Sequence, residues 1–148
     1  MTDFSDIRAI ERKRGKNTGK RKICKKKAIS ISKLQKLLWV ECKRIIRAKY
    51  GNKCYTCGKQ GLVGSDWHTG HFIPKGACGA FLKYDLRNLR PQCYHDNINL
   101  GGNGATFYKL MVEREGQRYV DQLFKDKQKI INAREHYEKL LNHYKELT

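Results

Sequence analysis

The sequence is short of acid. Fourteen Asp and Glu face 32 Lys and Arg in 148 residues, a formal net charge of +18. That excess is far beyond what solubility needs and points to a polyanionic partner. No run approaches the ~18 to 20 consecutive apolar residues that span a bilayer, and the N-terminus lacks the apolar segment of a secretion signal. The expectation is a soluble, cytoplasmic chain. Its length leaves room for one modest core with appendages and excludes two independent ones.

What is present is unevenly placed. Residues 8–27 carry eleven basic side chains against Glu11 alone, a local charge of +10. Such a block repels itself and buries almost nothing. Residues 1–29 therefore read as a flexible arm whose Lys13, Arg14, Lys20, Arg21, Lys22, Lys25, Lys26 and Lys27 neutralise DNA phosphates without sequence preference. From Ser30 the spacing of Leu34, Leu37, Leu38, Cys42, Ile45 and Ile46 predicts a helix capped by Ser30 or Ser32 and stopped after Tyr50 by Gly51 and Asn52.

Residues 53–104 hold nine of the 13 glycines and both prolines, the composition of an irregular, site-bearing middle. Helical spacing returns over 105–115 and 117–126, interrupted by Gly116, and again from Lys129 to the end. In the last run Ile130, Ala133, Tyr137, Leu140, Tyr144 and Leu147 alternate three and four apart, as in a coiled-coil seam. That seam serves either packing within the chain or a homodimer.

Cysteine usage is the second clue. Cys24, Cys42 and Cys78 are isolated, whereas Cys54 and Cys57 form a C-x-x-C pair followed by Gly58, a grouping that favours metal over disulfide. Zinc takes four ligands, so a second pair is expected. Cys93 supplies one member, and the i, i+3 spacing favours Asp96 as the other, with His95 and Cys78 as rivals. The plainer alternative is a set of reduced core cysteines.

Between the two pairs stand Trp67-His68-Thr69-Gly70-His71-Phe72-Ile73-Pro74 and Asp85-Leu86-Arg87-Asn88-Leu89, followed by Cys93 to Asn97. As a set these resemble the ββα-metal (His-Asn-His) nucleases. Among them they are most similar to the phage lambda NinG (Rap) recombination endonuclease family, which is akin to the endonuclease VII group of junction resolvases. The resemblance covers about Cys54 to Leu123, and Gly116-Gln117-Arg118-Tyr119-Val120-Asp121 extends it. Two positions depart from the pattern: His68 stands where the family carries a carboxylate, and Asp96 where it carries a fourth cysteine.

The resemblance implies an α+β fold: a small zinc-bound ββα-metal core over residues 30–128, flanked by helices, with 129–148 as a C-terminal amphipathic helix. It implies His71 as general base on the second strand of a hairpin, since an imidazole titrating near neutrality can deprotonate water. It further implies His68 and Asn97 as ligands of one catalytic Mg²⁺ or Mn²⁺, with Asp66 as a substitute and Asn97 projecting from the helix that follows. A nitrogen ligand tilts that choice towards Mn²⁺. Asn88 would tie the loop and orient His71, and Arg87 and Arg90 would clamp phosphates. Lys75-Gly76 and Gly101 to Gly104 read as plain loops.

The expected activity is metal-dependent cleavage of DNA, preferentially branched recombination intermediates, in the host cytoplasm if the gene is a phage's. Cleavage of linear duplex is the alternative among enzymes. A zinc-finger DNA-binding protein without catalysis is the alternative outside them.

Overall fold

The computed structural model describes residues 28–147. The basic arm, with Lys13, Arg14, Lys20, Arg21, Lys22, Lys25, Lys26 and Lys27, lies outside the described residues. Five helices and one two-stranded antiparallel sheet make up the mixed α+β fold among those residues. No helix in this part of the chain is long and apolar enough to cross a membrane.

The first helix, α1, runs Ile31–Tyr50. Ser30 caps it, its hydroxyl accepting from the Lys33 amide at 3.3 Å, and Gly51 ends it at φ 68°, a left-handed conformation that glycine adopts without a Cβ penalty. Leu34, Leu38, Cys42 and Ile46, four apart, are the buried stripe.

Strands β1 (Trp67–His71) and β2 (Leu89–Cys93) pair with Trp67 opposite Cys93 and His71 opposite Leu89. Gly70 is required there, because a Cβ at that position would lie 1.9 Å from Gln92 Oε1. The 72–88 connection holds the single-turn helix α2 (Gly79–Leu82). After β2 comes one wide turn, His95–Asn99, where a full helix was expected. Helices α3 (Gly104–Glu115) and α4 (Gln117–Asp126) break at Gly116, φ 93°, as the spacing predicts.

The last helix, α5, spans Ala133–Glu146 and starts later than predicted. Asn132 competes for the start by capping the Glu135 amide at 3.3 Å, and Ile130 is left fully exposed. Tyr137, Leu141 and Tyr144 bury the apolar face of α5 in the same core cluster as the α1 stripe, Trp67 and Leu89. That face is covered in cis. A second cluster gathers Phe72, Ile73, Cys78, Leu82, Phe107, Met111, Val120 and Leu123 beneath the long connection.

Leu38 is fully buried between α1 and the sheet side of this core. Truncation to alanine removes its contacts and leaves a cavity, at a cost of about 2–5 kcal/mol. Chemical denaturation of Leu38→Ala should show a loss in that range; a loss under about 1 kcal/mol would mean the helix is not docked as described.

Candidate metal centre and catalytic cleft

Two tight turns meet at a four-residue cluster. Cys54 and Cys57 close the first turn, where the Gly58 amide donates to the Cys54 carbonyl at 3.1 Å and Gly58 takes φ 77°. Cys93 ends β2 and Asp96 follows in the wide turn. One ligand atom from each of these four residues lies within 4.8 Å of all the others.

The donor set fits zinc. Zinc–sulfur bonds of about 2.3 Å in a tetrahedron place two sulfurs about 3.8 Å apart. The Cys57 and Cys93 sulfurs are 3.7 Å apart, and Cys54 Sγ lies 3.7 Å from Asp96 Oδ2. Backbone amides point at the sulfurs: Cys93 N–H at Cys54 Sγ, 3.3 Å, and Asp96 N–H at Cys93 Sγ, 3.4 Å. Such donors stabilise thiolate. The cluster can hold a metal ion such as zinc.

Asp96 is thus placed as the fourth member, and both rivals are displaced. His95 turns its Nδ1 to Asn99, 3.3 Å away, and Cys78 is buried in the second core cluster. Sequence spacing gave no hint of the residues that hold the Asp96 carboxylate: the Thr56 hydroxyl donates to it, and so does the Asn103 amide at 3.2 Å. Burial raises the Asp96 pKa, but these donors outweigh it and keep the group below the ordinary carboxylate range. Asn103, at φ 50°, and Gly102, whose carbonyl accepts from Gln92 Nε2 at 2.8 Å, make the glycine-rich loop a buttress of this centre. Burial and the neighbouring sulfurs push the Cys57 thiol up to about 12; a bound cation would reverse that preference.

His71 closes β1, the first strand and not the second, because the long connection runs between the strands and the histidine precedes it. Its Nε2 lies 3.0 Å from the Lys83 carbonyl. A carbonyl only accepts, so Nε2 carries the proton and Nδ1 keeps the lone pair. Burial lowers the pKa, the Lys83 carbonyl opposes this, and the positive Lys75 and Lys83 add to the lowering. The ring stacks on Trp39, centroids 5.4 Å apart and planes 8° from parallel. Together with Ser32, Gln35, Lys36, Lys75, Lys83 and Tyr84 they line a cleft of about 250 Å³.

Trp39 also lines a second cleft, of about 440 Å³, with Lys43, His68, Thr69, Tyr94 and Asn97 in its wall. His68 Nε2 meets the Ser65 carbonyl at 2.9 Å, which by the same argument leaves Nδ1 as an acceptor. The Asn97 amide faces that atom at 3.1 Å. The Thr69 hydroxyl is buried and lacks a protein partner. The Asn97 N–H occupies the His68 Nδ1 lone pair and no carboxylate joins them, so this pair could hold a divalent ion only with the Asn97 amide turned to present its oxygen.

Three expectations change on this geometry, those for Arg90, Arg87 and Asp66, whereas Asn88 ties the loop as its place in the sequence implied. Arg90 is 1% exposed, ion-paired to Glu115 at 2.7 Å and stacked near Tyr50 and Tyr55 at 5.1 and 5.4 Å, so it holds the core and cannot clamp a phosphate. Arg87 is bound by Asp85 at 2.7 Å and by the buried Asp126 at 2.8 Å, which neutralise it. Asn88 is fully buried. Its Oδ1 accepts from the Ile73 amide at 2.7 Å and its Nδ2 donates to the Ile73 carbonyl at 3.1 Å, so it is a positioning residue that fixes the chain just beyond His71. Asp66 is spent on Lys59 at 2.8 Å and the Tyr94 amide at 3.1 Å, leaving His68 as the better donor. Trp39 was not foreseen; its only signal is an aromatic on the half-buried edge of a helix.

These features define a small α+β protein with a three-cysteine, one-aspartate cluster that can hold a metal ion. The chain belongs to the NinG family: the family model described as Bacteriophage Lambda NinG protein matches residues 5–148. It is similar to protein ninG of Salmonella phage P22, 32% identical over 73 residues, which are 49% of this chain and 34% of that one. It is also similar to protein ninG of Escherichia phage lambda, 30% identical over 70 residues, 47% of this chain and 33% of that one. The aligned stretch thus spans about a third of these relatives. No solved structure matches.

Metal analysis of the purified protein should find one zinc per chain. Cys54→Ser should lose it together with the fold of residues 53–104, since ligand loss forfeits much of the metal's contribution to folding. Asp96→Cys, which supplies a fourth sulfur, should retain the metal, whereas Asp96→Ala should bind it weakly. Unchanged zinc content in Cys54→Ser would refute the centre.

Proposed function

We propose that the protein is a metal-dependent DNA endonuclease of the His-Asn-His type, with structural zinc at Cys54, Cys57, Cys93 and Asp96, cutting branched recombination intermediates. The observation that carries the reading is the pair of clefts that share Trp39: one holds a neutral imidazole with a free Nδ1, the other the His68–Asn97 pair. The preference for branched DNA follows from the resemblance to recombination endonucleases.

In this reading His71 Nδ1 takes the proton from the attacking water, and the Lys83 carbonyl fixes the tautomer that makes this feasible. Trp39 holds the ring in plane and limits its contact with solvent. Once the Asn97 amide turned its oxygen inward and released His68 Nδ1, these two residues would hold a divalent ion that would supply charge neutralisation at the phosphate. Asn88 keeps the backbone after His71 in place, and the lysines of the His71 cleft attract the phosphate backbone.

His71→Ala should cut a labelled four-way junction about 10²–10⁴-fold more slowly than wild type, with circular dichroism unchanged. Equal cutting of junction and linear duplex would remove the preference for branches. No wild-type cutting with Mg²⁺ or Mn²⁺ would refute the endonuclease.

The base must be unprotonated to work, and its pKa is lowered on folding. Activity should therefore rise with pH and reach half its plateau below the free imidazole value of about 6.5. A midpoint above that value would contradict the assignment. His68→Asp, which exchanges nitrogen for a hard oxygen donor, should shift the metal preference from Mn²⁺ towards Mg²⁺.

A further inference from the structure

α1 carries a charged stripe that no role described so far uses. Lys36, Trp39, Lys43 and Arg47 recur at spacings of three, four and four within Ile31–Tyr50, which places them on one side of the helix. Lys36 lines the His71 cleft. Lys43 lines the cleft of His68 and Asn97. Arg47 continues the row, its guanidinium 4.3 Å above the Trp67 ring, and shares a further cleft with Lys43.

The blander account is a solvated helix face. Two observations weigh against it. Among the described residues the ion pairs of the helices use other cations: Arg44 with Glu41, Arg134 with Glu138, Lys139 with Glu135. Lys36, Lys43 and Arg47 make none, so their charge is free for a ligand. The clefts that Lys36 and Lys43 border also hold His71 and the His68–Asn97 pair, so these cations stand beside polar sites and not on a featureless helix face.

We infer that this stripe is the track for one DNA strand, crossing Trp39 so that a phosphate sits between His71 and the His68–Asn97 pair; it rests on the endonuclease reading above. From Lys36 to Arg47 the helix rises about 16 Å at 1.5 Å per residue, roughly five nucleotide steps at 3.4 Å per strand. The three cations stand about 10 and about 6 Å apart along the helix axis, so they would meet every second or third phosphate of a strand. Contacts of this kind are sequence-blind, and the row is distinct in sequence from the basic segment at residues 8–27.

The test measures binding apart from cutting. Full-length, zinc-loaded protein without added Mg²⁺ or Mn²⁺ is titrated into a fluorescent four-way junction and a linear duplex, with anisotropy read over a series of salt concentrations. Lys36→Ala, Lys43→Ala and Arg47→Ala should each make the slope of log affinity against log salt less steep by about 0.9, and the triple variant by roughly 3. Lys139→Ala, on the outer face of α5, should leave it unchanged. Arg47→Lys, which keeps the charge, should retain the wild-type slope and guards against a packing effect on Trp67. A triple variant with the wild-type slope overturns the track, even if the wild type cuts DNA. A slope that depends on these residues in a protein that never cuts supports the track and overturns the endonuclease alone. A wild type that binds no DNA overturns both.

Discussion

Four ligand atoms drawn from two turns about forty residues apart in sequence converge within 4.8 Å, and the middle of the fold is arranged around that convergence. Within the Cys54–Cys57 turn, Cys54 and Tyr55 join the two core clusters, and the Tyr55 amide donates to the Pro91 carbonyl at 2.8 Å. The sulfurs themselves face the cluster that can hold an ion. Cys93 and Asp96 bring the end of β2 and the wide turn to the same point. Because Asn97 follows Asp96 directly, the constraint that sets the cluster also sets the amide against His68. A loop-rich segment of this size buries too little to fix such a contact by packing alone, which is why a metal staple is economical here.

The second cleft wall comes from outside this segment. α1 is docked by α5 through Leu38, Cys42, Tyr137 and Tyr144, and the docking presents Trp39 to His71. The His71 ring is therefore shaped by two independent parts of the chain: the Lys83 carbonyl from the long connection fixes its tautomer, and the helix fixes its plane. Burial and the adjacent lysines then favour the neutral ring, the form general-base chemistry requires.

Local signals in the sequence were legible where they act locally. Ser30 and Gly51 bound α1 because capping and a left-handed stop are decided within a turn, and Gly116 separates α3 from α4 for the same reason. The C-x-x-C pair and Asp96 were readable because zinc demands a fixed number of ligands. What escaped depends on contacts distant in sequence. All five residues of β2 are buried, so no alternation marks that strand, and Arg90 looked like a surface cation until Glu115 and two tyrosines enclosed it. Asn132 shortened α5 by outcompeting the apolar rhythm that Ile130 would have begun. The support of Asp96 by Thr56 and Asn103 is likewise invisible to spacing, since Thr56 fills an unspecified position of the C-x-x-C turn and Asn103 lies outside any ligand motif.

X-ray absorption at the metal of the purified protein interrogates the central constraint most directly. The account predicts a zinc edge with a first shell of three sulfurs at about 2.3 Å and one oxygen at about 2.0–2.2 Å. A shell with fewer than three sulfurs, or a folded protein that contains no bound metal, would contradict it.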